Sequence, residues 1–144
     1  ESVYLLKTAY VFDVSLSELF GWLAGGGKLA ILPAGDEKDP AAIQSAIAAY
    51  GVTHINFVPS LFALFLDVLK QGGAAVQRLE YIFVAGEAFP EHLAQELQAC
   101  GWADSVYNLY GPTECSVYAT AFAMKDYRGG PVPIGLPLPN VEVY

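Results

Sequence analysis

The chain has 144 residues and a formal charge of −8, with 54% hydrophobic and only 15% charged residues. That length fits one domain able to bury about two-thirds of its unfolded surface, and the acidic balance excludes a nucleic-acid partner, which needs a Lys/Arg footprint. The longest apolar stretch, 55–66, contains Asn56, Pro59 and Ser60 and is too short to span a bilayer, so the apolar excess predicts surface that packs against another domain or subunit.

Strands alternate with helices along the chain. Residues 9–12 are β-prone and predict a short strand; Ser15 and Glu18 then form a capping-box pattern, with Leu16, Leu19, Phe20 and Leu23 at helical spacing until the glycines at 25–27. Residues 28–32 predict the next strand. Asp39-Pro40 supplies an N-cap and a first-position proline for a helix with Ile43, Ala46, Ile47 and Tyr50 on one face, closed by Gly51. A strand at 54–58 leads to a helix capped by Ser60, bearing Leu61, Leu64, Phe65, Val68 and Leu69 and stopped by Gly72-Gly73. A strand at 81–85, a helix at 90–100 with Leu93 and Leu97 inward, a strand at 105–110 and another at 117–124 follow, and a Gly/Pro-rich tail ends in a short strand at 141–144. The alternation predicts an α/β fold: a mostly parallel sheet with helices on both faces, flavodoxin-like in layout. Ending inside a strand at Tyr144 is an odd place for a natural terminus.

Parallel sheets bind ligands beyond the carboxyl ends of their strands, and four strand ends here are polar or glycine-containing: Phe12-Asp13, Asn56 with Pro59-Ser60, Ala85-Gly86-Glu87, and Asn108 through Glu114. In the last of these, Asn108-Leu109-Tyr110-Gly111-Pro112-Thr113-Glu114, Gly-Pro forces a turn that presents an aromatic ring, a hydroxyl and a carboxylate together. Such a strand end suits a nucleotide and its metal ion; it is also what an ordinary βα turn can contain. Because Ser15 and Glu18 would supply the helix cap, the Asp13 carboxylate is left free for a cation such as an ammonium group. Glu87 fits either an exposed acceptor or a solvated turn residue. His54 and His92 form no catalytic constellation and read as structural. Cys100 and Cys115 have no disulfide framework or metal-ligand spacing and suit a reducing, cytoplasmic compartment, with Cys115 expected to be a small buried residue. No basic segment or cleavage site precedes Glu1, so no secretory signal is expected. Gly25-Gly26-Gly27-Lys28 leads into a strand and not a helix, so it is no phosphate loop.

Phe12-Asp13-Val14-Ser15, Asn56-Phe57-Val58-Pro59-Ser60, Ala85-Gly86-Glu87-Ala88, the Tyr-Gly-Pro-Thr-Glu run, and Pro133-Ile134-Gly135 with Pro137-Leu138-Pro139-Asn140 resemble, in order and spacing, the adenylation domains of nonribosomal peptide synthetases, within the adenylate-forming superfamily. The resemblance implies that an amino acid and ATP, with Mg²⁺, give an aminoacyl adenylate and pyrophosphate, the acyl group then passing to the phosphopantetheine thiol of a carrier domain. It implies that Asp13 pairs with the substrate ammonium beside Phe12, Tyr110 stacks on adenine, Asn108 bonds its exocyclic amine, and Gly86, Glu87 and Gly111 border the nucleotide. Thr113 would donate to the α-phosphate and Glu114 would hold Mg²⁺. The side-chain pocket would comprise Val14, Ser17, Asn56, Phe83, Ala85, Leu109, Val117 and Tyr118. With no second charge among them, it suits a small neutral amino acid, alanine first.

The family's Ser/Thr/Gly-rich phosphate loop, its ribose-binding Asp and its mobile C-terminal domain with a catalytic Lys have no counterpart in these 144 residues. The chain is therefore expected to be a single subdomain carrying most of the specificity pocket and part of the ATP site, inactive alone, and working with the remaining adenylation subdomains and a carrier protein. The alternatives are a piece of an acyl- or aryl-CoA ligase, which would have no use for an amine partner at Asp13, a non-catalytic flavodoxin-like binding module, and an engineered, exchangeable specificity unit.

Overall fold

In chain order the elements are β1 (Val3–Leu6), α1 (Val14–Gly25), β2 (Lys28–Ile31), α2 (Pro40–Tyr50), β3 (His54–Phe57), α3 (Pro59–Gln71), β4 (Tyr81–Val84), α4 (Glu91–Cys100), β5 (Val106–Tyr110), β6 (Thr120–Ala123) and β7 (Leu136–Pro137). The computed structural model describes residues 1–71, 76 and 79–144; the expected helix stop at Gly72-Gly73 lies outside them.

One sheet runs β2-β1-β3-β4-β5-β6-β7. The pairs from β2 through β5 are parallel, and β6 and β7 add antiparallel to that edge. The 2-1-3-4-5 order is that of doubly wound flavodoxin-like sheets, whose chain reverses direction across the β1/β3 boundary and leaves a crevice there. The expected fold class is the one observed.

The core lies on one face. Leu5, Ile55, Phe57, Ile82, Val84 and Val106 project from successive strands onto Ile43 and Ile47 of α2, Phe62, Phe65, Leu66 and Leu69 of α3, and Leu93 and Leu97 of α4. Since alternate residues of a strand face opposite ways, Tyr4, His54, Tyr81, Phe83 and Tyr107 form an aromatic row on the other face, where His54 stacks on Tyr4 at 4.3 Å and on Tyr81 at 4.8 Å between ring centroids. Burial lowers the His54 pKa, only partly offset by Glu80. α1 covers the β1 end of this face, with Gly21 seated so close to the Tyr4 ring that a Cβ would lie 2.5 Å from it.

Several local expectations are corrected. Residues 9–12 form turns, and the first strand is Val3–Leu6; Tyr10, Val11 and Phe12 are β-prone but face solvent, and no strand among the described residues pairs with them. Ser15 and Glu18 do not make a capping box. Asp13 occupies the N-cap position without a side-chain cap bond, while Ser15 and Glu18 turn inward and Leu16, Phe20 and Leu23 turn outward. This outward stripe, with Tyr10, Val11, Phe12 and Ile31, is where the apolar excess of the sequence goes. α3 begins at Pro59, so Ser60 is not its cap; instead the Ser60 N–H and hydroxyl both donate to the Glu87 carboxylate, at 3.2 and 3.1 Å. Leu64 and Tyr50 are exposed, and Phe62 and Leu66 take the inward positions of α3. No strand forms at 141–144, the last being Leu136–Pro137 at the sheet edge, where a proline's missing N–H costs nothing. The caps at Asp39, whose Oδ1 accepts from the Ala41 N–H at 2.9 Å, and at Gly26 and Gly51 are as expected.

Candidate functional site

The candidate residues gather at the carboxyl edge of the sheet in two groups, one on each face. On the α4 side, Gly86, Glu87, Asn108, Tyr110 and Gly111 line one cavity of about 530 Å³, closed across by the segment that carries Pro131, Val132 and Ile134. Asn108 is 5% exposed, and its Nδ2 donates to the Pro133 carbonyl at 2.8 Å. That bond fixes the orientation of the amide. Among the described residues no donor reaches its Oδ1, and no buried side-chain oxygen or nitrogen lacks a partner, so Oδ1 opens toward the cavity as an acceptor. The Tyr110 ring stands half-exposed at the rim. An acceptor beside a free aromatic face fits an aminopurine, which offers an exocyclic N–H₂ and a π surface. Glu87, expected as an acceptor or a solvated turn residue, serves as the cap of α3 and is thereby held at the cavity edge. Among the described residues the cavity is lined by Glu87 and Glu91 and by no basic side chain, so these residues do not neutralise a polyphosphate.

Beyond Gly111-Pro112 the chain makes a single 3₁₀ turn, Thr113–Cys115. Thr113, Glu114 and Cys115 are all exposed; the expected burial of Cys115 is corrected, because that turn stands on the rim and nothing among the described residues covers it. Among the described residues no three His, Cys, Asp or Glu side chains cluster as a metal site. A lone Glu114 fits Mg²⁺, which keeps waters and phosphate oxygens in most of its positions and takes one or two carboxylates from the protein.

The second group lies on the α1 side. Asn56 pairs in register with Phe83, which pairs with Tyr107; Leu109, two residues on, shares that face. Ala85 and Leu109 are buried. Val14 and Ser17 come from the first turns of α1 and, like Asp13, are half-buried. Ser116 and Val117 follow the 3₁₀ turn with φ of 59° and 77°, and the Tyr118 N–H donates to the Ser116 carbonyl at 3.1 Å. This is a γ-turn of the strained hand centred on a β-branched residue, a conformation costing roughly 1–3 kcal/mol. It points the chain back onto the sheet, and the Tyr118 hydroxyl donates to Asn56 Oδ1 at 3.2 Å. Asn56 Nδ2 donates to Ser17 Oγ at 3.3 Å, and Ser17 donates to the Val14 carbonyl at 2.7 Å. The polar groups of the expected pocket therefore satisfy one another. Phe12 is 63% exposed next to Asp13 and forms no part of this chain of bonds.

Burial pushes the Tyr118 phenol up to about 12; the Ser17 hydroxyl partly offsets this, and the Glu18 and Asp13 carboxylates add to it. Asp13 is thus near enough to Tyr118 for its charge to act on the phenol. The neutral phenol is the form the fold favours, so its stabilisation is complete below the unfolded value near 10 and is lost as pH rises from there to 12, amounting to about 3 kcal/mol. Urea unfolding followed from pH 9 to 12 is expected to show this loss in the native chain and a smaller one in Tyr118→Phe, which lacks the titrating group.

Sequence reasoning missed two contributors. The Pro133 carbonyl orients Asn108, a role hinted at only by the prolines that stiffen the tail. Glu18 has the sequence position of a helix cap but is 0% exposed and faces the sheet; an acidic residue within a helix otherwise rich in Leu and Phe was the available signal.

The family model described as AMP-binding enzyme matches residues 1–144. The chain belongs to this family, the adenylate-forming enzymes. It is 46% identical over 148 residues to polyketide synthase PksN of Bacillus subtilis, covering 100% of this chain and 3% of that protein. It is 45% identical over 142 residues to a linear gramicidin synthase of Brevibacillus parabrevis, covering 98% of this chain and 3% of that protein. Among solved structures, the Klebsiella oxytoca NpsA N-terminal subdomain in complex with 3-hydroxybenzoyl-AMSN superposes with a TM-score of 0.82 at 27% identity, over 96% of this chain and 34% of that one. NpsA-ThdA, an artificially fused adenylation–PCP di-domain of a nonribosomal peptide synthetase from the same organism, superposes with a TM-score of 0.77 at 27% identity, over 96% of this chain and 24% of that one. The chain thus corresponds to part of an adenylation domain and spans a small fraction of its relatives' length. Among the described residues no helix is long and apolar enough to cross a membrane.

Proposed function

We propose that this chain is the substrate-selecting subdomain of an amino-acid adenylation domain in nonribosomal peptide synthesis. The reaction joins an amino acid carboxylate to the α-phosphate of ATP, releasing pyrophosphate, and the aminoacyl group then passes to the phosphopantetheine thiol of a carrier domain. Tyr110 stacks on the adenine, Asn108 Oδ1 accepts from its exocyclic amine, and the Gly86-Glu87 and Gly111 backbones border the nucleotide. Thr113 donates to the α-phosphate. Glu114 holds Mg²⁺, which supplies charge neutralisation to the phosphates when bound. Asp13 takes the substrate's ammonium, with Phe12 beside it, and Val14, Ser17, Asn56, Phe83, Ala85, Leu109, Val117 and Tyr118 surround the side chain.

The observation that carries this reading is the pinned Asn108 amide, whose free oxygen opens beside the Tyr110 ring. The mutual bonding of Tyr118, Asn56 and Ser17 supports a small, neutral side chain, alanine foremost. A polar substrate side chain would have to break one of those bonds, and a charged one would be buried unpaired. The acidic, cation-free cavity supports catalytic incompleteness of the chain alone, with the remaining subdomains supplying positive charge.

The test is ATP–pyrophosphate exchange by a complete adenylation domain carrying this segment between the flanks of a relative. Exchange stimulated by alanine or another small neutral amino acid is expected. Stimulation only by aryl or fatty acids would show an acyl- or aryl-acid ligase instead. The isolated chain should give no measurable exchange.

A further inference from the structure

The most unusual buried group in the molecule is Glu18. Its side chain is 0% exposed, and among the described residues no Lys or Arg forms a salt bridge with it. Its Oε2 accepts from the backbone N–H groups of Lys7 at 3.0 Å and Thr8 at 2.9 Å, and its Oε1 accepts from the Thr8 hydroxyl at 2.8 Å. These donors belong to the segment leaving β1, at the chain-reversal point of the sheet. On the far side of the same carboxylate, Asn56 Nδ2 approaches Oε1 at 3.5 Å while donating to Ser17 Oγ at 3.3 Å. Asn56 Oδ1 receives the Tyr118 hydroxyl.

An Asn amide can point either way, and the group it faces decides which. Ser17 Oγ, whose proton goes to the Val14 carbonyl, and the Glu18 carboxylate both offer acceptors to Asn56, so the amide presents its N–H₂ to the helix and its oxygen to Tyr118. That oxygen accepts the proton of the Tyr118 hydroxyl, which sits at the end of the strained Ser116–Tyr118 turn. The carboxylate thus acts with Ser17 Oγ on the orientation of Asn56 and, through it, of Tyr118. A buried charge is a poor source of stability against a hydrophobic residue, even with the Lys7 ammonium close enough to feel the Glu18 charge.

We propose that Glu18 is a positioning residue of the amino-acid pocket, acting through Asn56 to hold Tyr118 in place. This rests on the proposed adenylation reading. Gln at this position would keep an acceptor for the two backbone donors but turn an N–H₂ toward Asn56 Nδ2, a donor–donor contact that favours reversal of the Asn56 amide and leaves Tyr118 without its acceptor.

In a complete adenylation domain carrying the segment, Glu18→Gln is expected to raise KM for the amino acid about tenfold, with KM for ATP and kcat changed less than about twofold, since a single hydrogen-bonded contact is worth about one factor of ten. Thr8→Val removes a donor from the loop side of the same carboxylate without touching Asn56, and should lower the melting temperature while leaving the amino-acid KM alone. A purely structural Glu18 would make the two variants alike, with both substrates affected equally or neither; that result overturns the proposal. If Glu18→Gln does not fold, Glu18→Asp, which keeps the charge but withdraws it from Asn56, is measured the same way with the same deciding outcomes. An unsubstituted domain that exchanges pyrophosphate with no amino acid refutes the underlying reading; one that exchanges normally while Glu18→Gln leaves the amino-acid KM unchanged refutes the positioning role alone.

Discussion

Replacing Asp13 with Ala in a complete adenylation domain carrying this segment is expected to reduce amino-acid-dependent exchange by two orders of magnitude or more. The side chain sits at the N-cap of α1 yet makes no cap hydrogen bond, so its carboxylate is not committed to the helix. It lies half-buried, close enough to Tyr118 to act on its phenol. Removing one partner of a desolvated, hydrogen-bonded charge pair costs about 2–5 kcal/mol, much of it from the ammonium left unpaired, and each 1.4 kcal/mol is tenfold. Asp13→Asn should be nearly as damaging, because the amide keeps the shape without the charge. Helix stability should change little, since no cap bond is lost. Retained exchange in Asp13→Ala, measured with saturating ATP, would remove Asp13 from the ammonium site.

Gly111→Ala is expected to destabilise the chain by about 3 kcal/mol and to abolish exchange in the complete domain. A Cβ at this position would lie 2.5 Å from the Val117 carbonyl oxygen, 2.7 Å from the Tyr118 Cα and 2.8 Å from the Ala119 nitrogen. All three are backbone atoms, so no side chain can swing away. The Ala119 N–H is itself bonded to the Tyr110 carbonyl at 2.8 Å, clamping the two segments together. Overpacking usually costs about 1–3 kcal/mol, and a rigid backbone neighbour places this case at the upper end. Relief requires moving the Val117-Tyr118 turn away, which takes Tyr118 from Asn56 and widens the pocket. Urea unfolding reads the stability, and an unchanged midpoint would contradict the packing argument.

The fold was legible because strand and helix signals alternate and most caps are local. Asp39-Pro40, Gly26 and Gly51 act within one turn of the chain, and Leu93 and Leu97 follow the helical period. What failed was decided by distant partners. Ser15-Leu16-Ser17-Glu18 has the letters of a capping box, but Glu18 finds stronger donors in the segment leaving β1, and the helix turns its Leu and Phe stripe outward. Tyr10-Val11-Phe12 has β propensity without a neighbouring strand, whereas Val3–Leu6 lies between two. Glu87 caps a helix 27 positions earlier in sequence, which no local pattern encodes. At the site, the Tyr-Gly-Pro-Thr-Glu run was visible as a motif, but the carbonyl that orients Asn108 comes from 25 residues downstream. The inverted turn at Val117 was not visible either, since a β-branched residue gives no hint of positive φ.

The placement of the two groups on opposite faces of one sheet edge suits a ligand with two chemically distinct ends joined at a reacting centre. In the proposed reading adenine takes the α4 side and the amino acid the α1 side, with the Thr113-Glu114 turn between them in sequence. The direct test is the structure of a complete adenylation domain carrying this segment, bound to a non-hydrolysable alanyl-adenylate. The account predicts the ligand ammonium within hydrogen-bond distance of the Asp13 carboxylate, adenine against the Tyr110 ring with its exocyclic amine on Asn108 Oδ1, and the methyl group facing Asn56 and Tyr118. An adenine bound elsewhere, or an ammonium turned away from Asp13, would contradict it.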